Sequence, residues 1–132
     1  MLVRDRMTKN PITVDPQEML ATAQEKMTTG RFRRLPVVEN GALIGIMTDR
    51  DVRRHVGSEE RTKVRAIMTE TPLTISPDMP IEEATQLLLK HQFGGLPVTD
   101  NGELVGILTT SDILQAFLDM VGSRDDSHRI SS

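Results

Sequence analysis

The sequence predicts an α/β (α+β) fold built from two copies of one βαββα unit, each led by a short helix and packed as a pseudo-twofold pair. Three observations predict it. The stretch Arg34 to Val52, RLPVVENGALIGIMTDRDV, returns without a gap as GLPVTDNGELVGILTTSDI, Gly95 to Ile113, 61 positions later. The residues ahead of each copy return as well, Met7 to Pro16 as Met68 to Pro77 and Val3-Arg4 as Val64-Arg65. Finally, 132 residues suit one compact domain, whereas a copy of roughly 60 residues buries too little surface to be comfortable alone. The expected boundaries are 1–61 for the first copy, 62–121 for the second, and 122–132 for a Ser/Arg/Asp-rich linker or disordered tail.

Each element has a local reason. Leu2 to Met7 and Val64 to Met68 read as brief helical lead-ins. In Pro11-Ile12-Thr13-Val14-Asp15-Pro16 two prolines bracket a β-branched triplet, which permits only a short extended segment. A helix follows, with Leu20, Ala23 and Met27 on one face and Gly30 at its end. Its counterpart carries Ile81, Ala84, Leu87 and Leu88, with Glu82-Glu83 in the first turn and His91 at the end. Leu35 to Val38 and Leu43 to Met47 read as strands joined at Asn40-Gly41, a pair that tolerates the positive φ angles of a tight hairpin. Asn101-Gly102 repeats that turn. Thr48 and Thr109 sit where a strand ends and a helix begins, as N-caps do. The helices they open are expected over Arg50 to His55 and Ser111 to Val121.

Composition excludes several functions. No Cys is present, which removes disulfides, thiolate metal sites and Cys nucleophiles. No apolar run approaches the roughly 20 residues that cross a bilayer, and no signal peptide precedes the first copy, so a soluble cytoplasmic protein is expected. Three Phe with neither Trp nor Tyr leave no aromatic platform for RNA bases. Net charge is −3, but residues 1–61 carry +2 and residues 62–132 carry −5. The positive charge clusters at Arg31, Arg33, Arg34 and again at Arg50, Arg53, Arg54, inside the repeated unit. A solvated face is the ordinary reading of such clusters; their position makes an anion site the alternative.

The two L-P-V-h strands, the N-G turns and the paired G-h-h-T-x-x-D runs resemble a tandem pair of CBS (cystathionine β-synthase) domains, a Bateman module. The resemblance spans Leu2 to about Val121 and is most similar to small bacterial AcuB-like CBS proteins. Some of those continue into an ACT domain, to which Asp126 to Ser131 is a candidate entry. The resemblance implies a homodimer of two such pairs, stacked through apolar helix faces that include Met27, Leu87, Leu88 and Leu114, residues that also read as ordinary core. It further implies an adenine nucleotide as regulatory ligand, AMP or ATP foremost, then ADP, NAD or S-adenosylmethionine, bound in the clefts between the copies. A regulated partner protein is implied but not identified.

Residue by residue, the resemblance places Asp51 and Asp112 against ribose hydroxyls and Thr48 and Thr109 near phosphates. The chemistry agrees, since one carboxylate accepts from two vicinal hydroxyls and a helix N-terminus offers N–H groups to a phosphate. Capping alone is the rival reading of Thr48 and Asp51, and the matched second copy weighs toward a site. Adenine is implied to rest against Thr13, Val14 and Asp15 with Arg33, Arg34 and Pro36, and against Thr74, Ile75 and Ser76 with Gly94, Gly95 and Pro97. Arg50 and Ser111 complete the two sets. The copies differ where Arg33-Arg34 becomes Gly94-Gly95 and Asp49-Arg50 becomes Thr110-Ser111, so only the first brings guanidinium groups toward a polyphosphate. Unequal sites are expected.

Rival classes fare worse. His55, His91 and His128 lie in dissimilar contexts with no repeat partner, and no triad, zinc or EF-hand pattern accompanies them, so neither catalysis nor a metal is expected. His91 reads as a partner of its helix dipole. The acidic balance and the lack of a recognition-helix pattern argue against nucleic acid. A ligand-free dimerisation module is the remaining alternative.

Overall fold

The computed structural model describes residues 1–130. The first copy runs α1 (Val3–Arg6), β1 (Thr8–Lys9), α2 (Leu20–Gly30), β2 (Arg34–Glu39), β3 (Ala42–Thr48) and α3 (Asp49–Arg53). The second repeats the order as α4 (Val64–Ile67), β4 (Thr69–Glu70), α5 (Ile81–His91), β5 (Gly95–Asp100), β6 (Glu103–Thr109) and α6 (Thr110–Ile130). The expected mixed helix-and-sheet architecture is thus present in both halves.

The hairpins β2–β3 and β5–β6 are antiparallel and turn where Asn-Gly predicts. Asn40 and Gly41 have φ of 52° and 83°, and Asn101 and Gly102 have 52° and 82°. Two successive positive φ angles match the twist of the flanking strands. A contact of β3 with β6 at Ala42 and Glu103 joins the hairpins into one six-stranded sheet.

Three local expectations need correction. The paired strand before α2 is Thr8–Lys9 rather than the Ile12-Thr13-Val14 triplet, which contributes only a parallel bridge from Val14 to Val37. Pro11 and Pro16 have no N–H to donate, so that bridge has no room to grow into a ladder. The helix α3 occupies Asp49–Arg53, ending before His55. The helix α6 begins at Thr110 and continues to Ile130, through most of the stretch expected as linker. Gly122 costs a helix about 1 kcal/mol but does not stop it, and no proline follows. Of the expected tail, residues 131 and 132 lie outside the described residues.

The lead-in segments cross over. Strand β1 pairs with β6 of the second copy, and β4 pairs with β3 of the first. Val3 is fully buried in the second core among Ile75, Ala84, Leu88, Leu96, Val98 and Leu108. Val64 and Met68 reciprocate, packing in the first core with Val14, Leu20, Leu35 and Met47. Backbone bonds hold the exchange: Val3 N–H to Met79 O at 2.9 Å and Arg4 N–H to Pro77 O at 2.9 Å. Val64 N–H to Glu18 O at 2.8 Å and Arg65 N–H to Pro16 O at 2.9 Å mirror them. Each core is therefore completed by a residue from the other copy.

The glycine of each G-h-h-T-x-x-D run makes the crossing possible. A Cβ on Gly45 would lie 2.9 Å from the Thr69 carbonyl oxygen, and one on Gly106 would lie 2.8 Å from that of Thr8. Both oxygens belong to the exchanged strands, so any side chain would push the strand off. We predict that Gly45→Ala and Gly106→Ala each lower stability by about 1–3 kcal/mol in urea denaturation. Gly122→Ala, whose Cβ meets nothing within 4 Å, should raise it by about 0.5–1 kcal/mol through helix propensity alone.

Candidate functional site

Strand β3 delivers Thr48 to the start of α3, and the two ends of the T-x-x-D element bond to each other. Thr48 Oγ1 accepts from Asp51 N–H at 3.2 Å, and Asp51 Oδ2 accepts from Thr48 N–H at 2.9 Å. Thr109 and Asp112 repeat this at 3.2 and 2.9 Å. Both pairs are reciprocal capping boxes, so the capping reading holds in both copies. It leaves chemistry to spare. Asp51 Oδ1 meets no protein donor among the described residues, and each Thr hydroxyl still has its own proton to give.

The helix ends offer less to an anion than the sequence suggests. Asp49 N–H donates to Arg33 O at 3.0 Å, and Thr110 N–H donates to Gly94 O at 2.9 Å. With the Asp51 and Asp112 amides turned to Thr hydroxyls, one first-turn N–H remains per helix, that of Arg50 and that of Ser111. Any phosphate in the first copy must lean chiefly on side chains.

Those side chains are at hand. Arg34 pairs with Thr48 across the hairpin and is half-buried, its guanidinium 4.8 Å from the centroid of the Phe93 ring. Burial lowers its pKa below the ordinary arginine value, while Asp49 and then Asp51 pull the other way. Arg33 and Arg50 are exposed beside it, and among the described residues neither pairs with a carboxylate. Arg33, Arg34, Thr48, Arg50 and Asp51 thus converge at the start of β2 and the end of β3.

Of the residues expected against adenine, Pro36 and Pro97 lie on β2 and β5, and Thr13 to Asp15 and Thr74 to Ser76 run beside those strands ahead of α2 and α5. Val14 is buried beside Pro36, donating its N–H to Pro36 O at 3.0 Å, and Ile75 does the same to Pro97 O at 3.1 Å. Thr13 O is already taken by Lys26 Nζ at 2.8 Å, whereas residue 87, the counterpart of Lys26, is Leu. Asp15 is exposed and its Oδ1 accepts Gln17 N–H at 2.8 Å; Ser76 Oγ accepts Asp78 N–H at 3.1 Å, so both side chains shape turns. Thr74 is half-buried, Gly94 is exposed, and Gly95 is buried opposite Thr109.

The second set is dressed differently. Thr8, on the exchanged strand β1, places Oγ1 3.3 and 3.4 Å from the two carboxylate oxygens of Asp112. Nearby, Arg6 donates to Asp119 of α6 and holds its carboxyl below the usual range. Positions 67 and 58, the counterparts of Arg6 and Asp119, are Ile and Ser. The sequence reading missed Thr8, Lys26 and Phe93. Phe93 had a signal in the repeat, since Phe32 precedes it by 61 positions. Thr8 had none, because its place depends on the crossing.

Two open surface grooves, of about 310 and 340 Å³, lie elsewhere, one at Gly57 to Arg61 and one between β3 and the crossing strand β4. Neither is lined by a T-x-x-D pair, so the case for those pairs rests on their chemistry rather than on concavity. Among the described residues no group of three or more His, Asp or Glu is placed to hold a metal, and no helix is long and apolar enough to cross a membrane. The caps give a direct test. Thr48→Val or Thr109→Val should cost about 1 kcal/mol in chemical denaturation, and Thr→Ser at either position should cost a small fraction of that.

Comparison with known proteins agrees with this architecture. The CBS domain profile matches residues 3–58 and 64–119. The CBS domain-containing protein YhcV of Bacillus subtilis is 35% identical over 114 residues, covering 84% of this chain and 81% of that one. Part of an inosine-5'-monophosphate dehydrogenase of Korarchaeum cryptofilum is 30% identical, covering 92% of this chain but 25% of the enzyme. Among solved structures, a putative acetoin utilization protein (AcuB) from Vibrio cholerae superposes with a TM-score of 0.86 at 27% identity, covering 96% of each chain. CBSX2 in complex with AMP, a protein of Arabidopsis thaliana, gives 0.82 at 30% identity, covering 90% of this chain and 97% of that one. The CBS domain pair of protein MJ0100, in complex with 5'-methylthioadenosine and S-adenosyl-L-methionine, gives 0.79 at 29% identity over 89% of this chain and 95% of that one. With two profile matches spanning most of its length, the gapless repeat and the crossed lead-ins, this chain belongs to the CBS domain family.

Proposed function

We propose that this CBS pair is a non-catalytic sensor of an adenosine-containing ligand, with AMP or ATP the leading candidates and ADP, NAD and S-adenosylmethionine next. The observation that carries the reading is the pair of capping boxes. Each fixes a carboxylate at the edge of the interface between copies, and at Asp51 one oxygen is left free to accept a ribose hydroxyl. Similar CBS pairs solved with AMP and with 5'-methylthioadenosine and S-adenosyl-L-methionine support the choice of ligand class. Arg33, Arg34 and Arg50 favour a phosphorylated ligand at Asp51, while Gly94, Gly95 and Ser111 favour a nucleoside end at Asp112. Pro36 and Pro97, with Thr13 to Asp15 and Thr74 to Ser76, would flank the base.

Thermal unfolding against AMP, ADP, ATP, NAD and S-adenosylmethionine tests the reading, because a ligand at 100 times its Kd stabilises by about 2.7 kcal/mol. We expect a saturable rise in Tm for at least one, two unequal sites by calorimetry, and loss of one site each in Asp51→Asn and Asp112→Asn. Each Asp→Asn change also weakens a cap, so the affinities are to be compared below the melting range of the variant. A flat response to the whole set would leave the structural reading.

A second role, assembly as a homodimer, is favoured by α6. Ile113 packs against the second core and Ala116 is buried, whereas Leu114, Phe117 and Leu118 are 58%, 56% and 59% exposed at helical spacing. An apolar face of this kind on a soluble helix is a docking surface. Of the other residues expected there, Met27 and Leu88 are core and Leu87 is partly buried against it. We predict that Leu118→Glu shifts the chain to monomer in sedimentation velocity and leaves its far-UV circular dichroism unchanged.

A further inference from the structure

Arg34 is the one guanidinium of the first site that is not free, and what holds it comes from the other copy. Its charge lies 4.8 Å from the centroid of Phe93, within the range where a cation is drawn to a ring face. The ring itself is fixed. Phe93 packs against the second core, its N–H donates to Leu88 O at 3.1 Å, and it stacks on His91 at 5.3 Å between centroids and 19° between planes. The arrangement has no mirror. At the position of Arg34 the second copy has Gly95, so Phe32 faces no such cation, and its ring instead lies over Gly30.

We infer that Phe93 is a specificity-determining residue for the first site, holding Arg34 in a resting contact from which a ligand phosphate must draw it. The inference rests on the reading above that an adenosyl ligand sits at Asp51. A phosphate and the ring compete for one guanidinium, so Phe93 lowers the affinity of phosphorylated ligands and is indifferent to the bare nucleoside. The phosphate is the stronger partner, since a charge-assisted bidentate bond outweighs a half-exposed cation–π contact. Phe93 therefore tunes the preference for phosphate rather than abolishing it. Because Phe93 leads directly into Gly94-Gly95, drawing Arg34 away also removes a contact beside the second site.

The test uses the full chain carrying Asp112→Asn, in which the first site alone binds, with AMP and adenosine titrated by calorimetry. Phe93→Leu keeps an apolar residue against the second core and removes the ring. It should tighten AMP by about two- to five-fold, the scale of a cation–π contact, and leave adenosine unchanged. Phe93→Tyr should behave as the parent, since its ring face still attracts a cation. In an Arg34→Ala background, Phe93→Leu should have no effect on either probe. The inference is overturned if Phe93→Leu shifts AMP and adenosine together, or if it still acts without Arg34. Failure of both probes to bind the Asp112→Asn chain would instead overturn the site at Asp51, and this inference with it.

Discussion

The crossing of the two lead-in segments is the constraint on which the rest of the molecule depends. A single copy lacks the residue that closes its own core, because Val3 lies in the second and Val64 in the first. The crossing also supplies β1 and β4, the strands that border β6 and β3 near the T-x-x-D ends. Core and candidate sites are thus products of one topological event. Its steric requirement falls on Gly45 and Gly106, whose missing side chains let a carbonyl of the crossing strand approach the hairpin. These glycines stand three residues before Thr48 and Thr109, so one short run carries the strand contact, the helix cap and the candidate ligand carboxylate.

If the capping atoms also serve the proposed site, an energetic consequence follows. A carboxylate already bonded to the Thr N–H is held in one rotamer, so a ligand taken up there as proposed would cost little side-chain entropy. The same economy leaves few free amides, since Asp49, Asp51, Thr110 and Asp112 have given theirs to protein acceptors. Positive charge near the T-x-x-D element of the first copy is therefore a matter of arginine side chains, and near that of the second it is absent from the matching positions. The backbone is nearly twofold, and the chemistry laid on it is not.

That asymmetry runs through the whole chain. Asp112 is touched by Thr8 and the adjoining arm is tied to α6 through Arg6 and Asp119, while the first copy has neither contact. Helix α6 is long where α3 is five residues, and α6 alone presents a row of exposed Leu and Phe. A duplicated unit has here been differentiated at its surface and around its T-x-x-D elements, where changes cost little folding energy, and kept alike in its cores, where they would cost much.

How much of this was legible in the sequence follows from the range of the forces involved. The repeat, the order of elements, the Asn-Gly hairpins and the Thr caps are set by near neighbours, so residue types a few positions apart specify them. The capping boxes are legible for the same reason, as are the buried faces at Leu20, Ala23 and Met27. The strand at Thr8–Lys9 is not legible, because its partner, β6, lies about 100 residues away in sequence and no local pattern marks it. The extent of α6 is not legible either, because Gly122 and polar neighbours weaken a helix without forbidding it. Which copy completes which core, which carboxylate meets Thr8, and that Arg34 rests on Phe93 were decided by tertiary structure alone. Those contacts join residues that have no periodic relation to one another, and only the packed sheet brings them within reach.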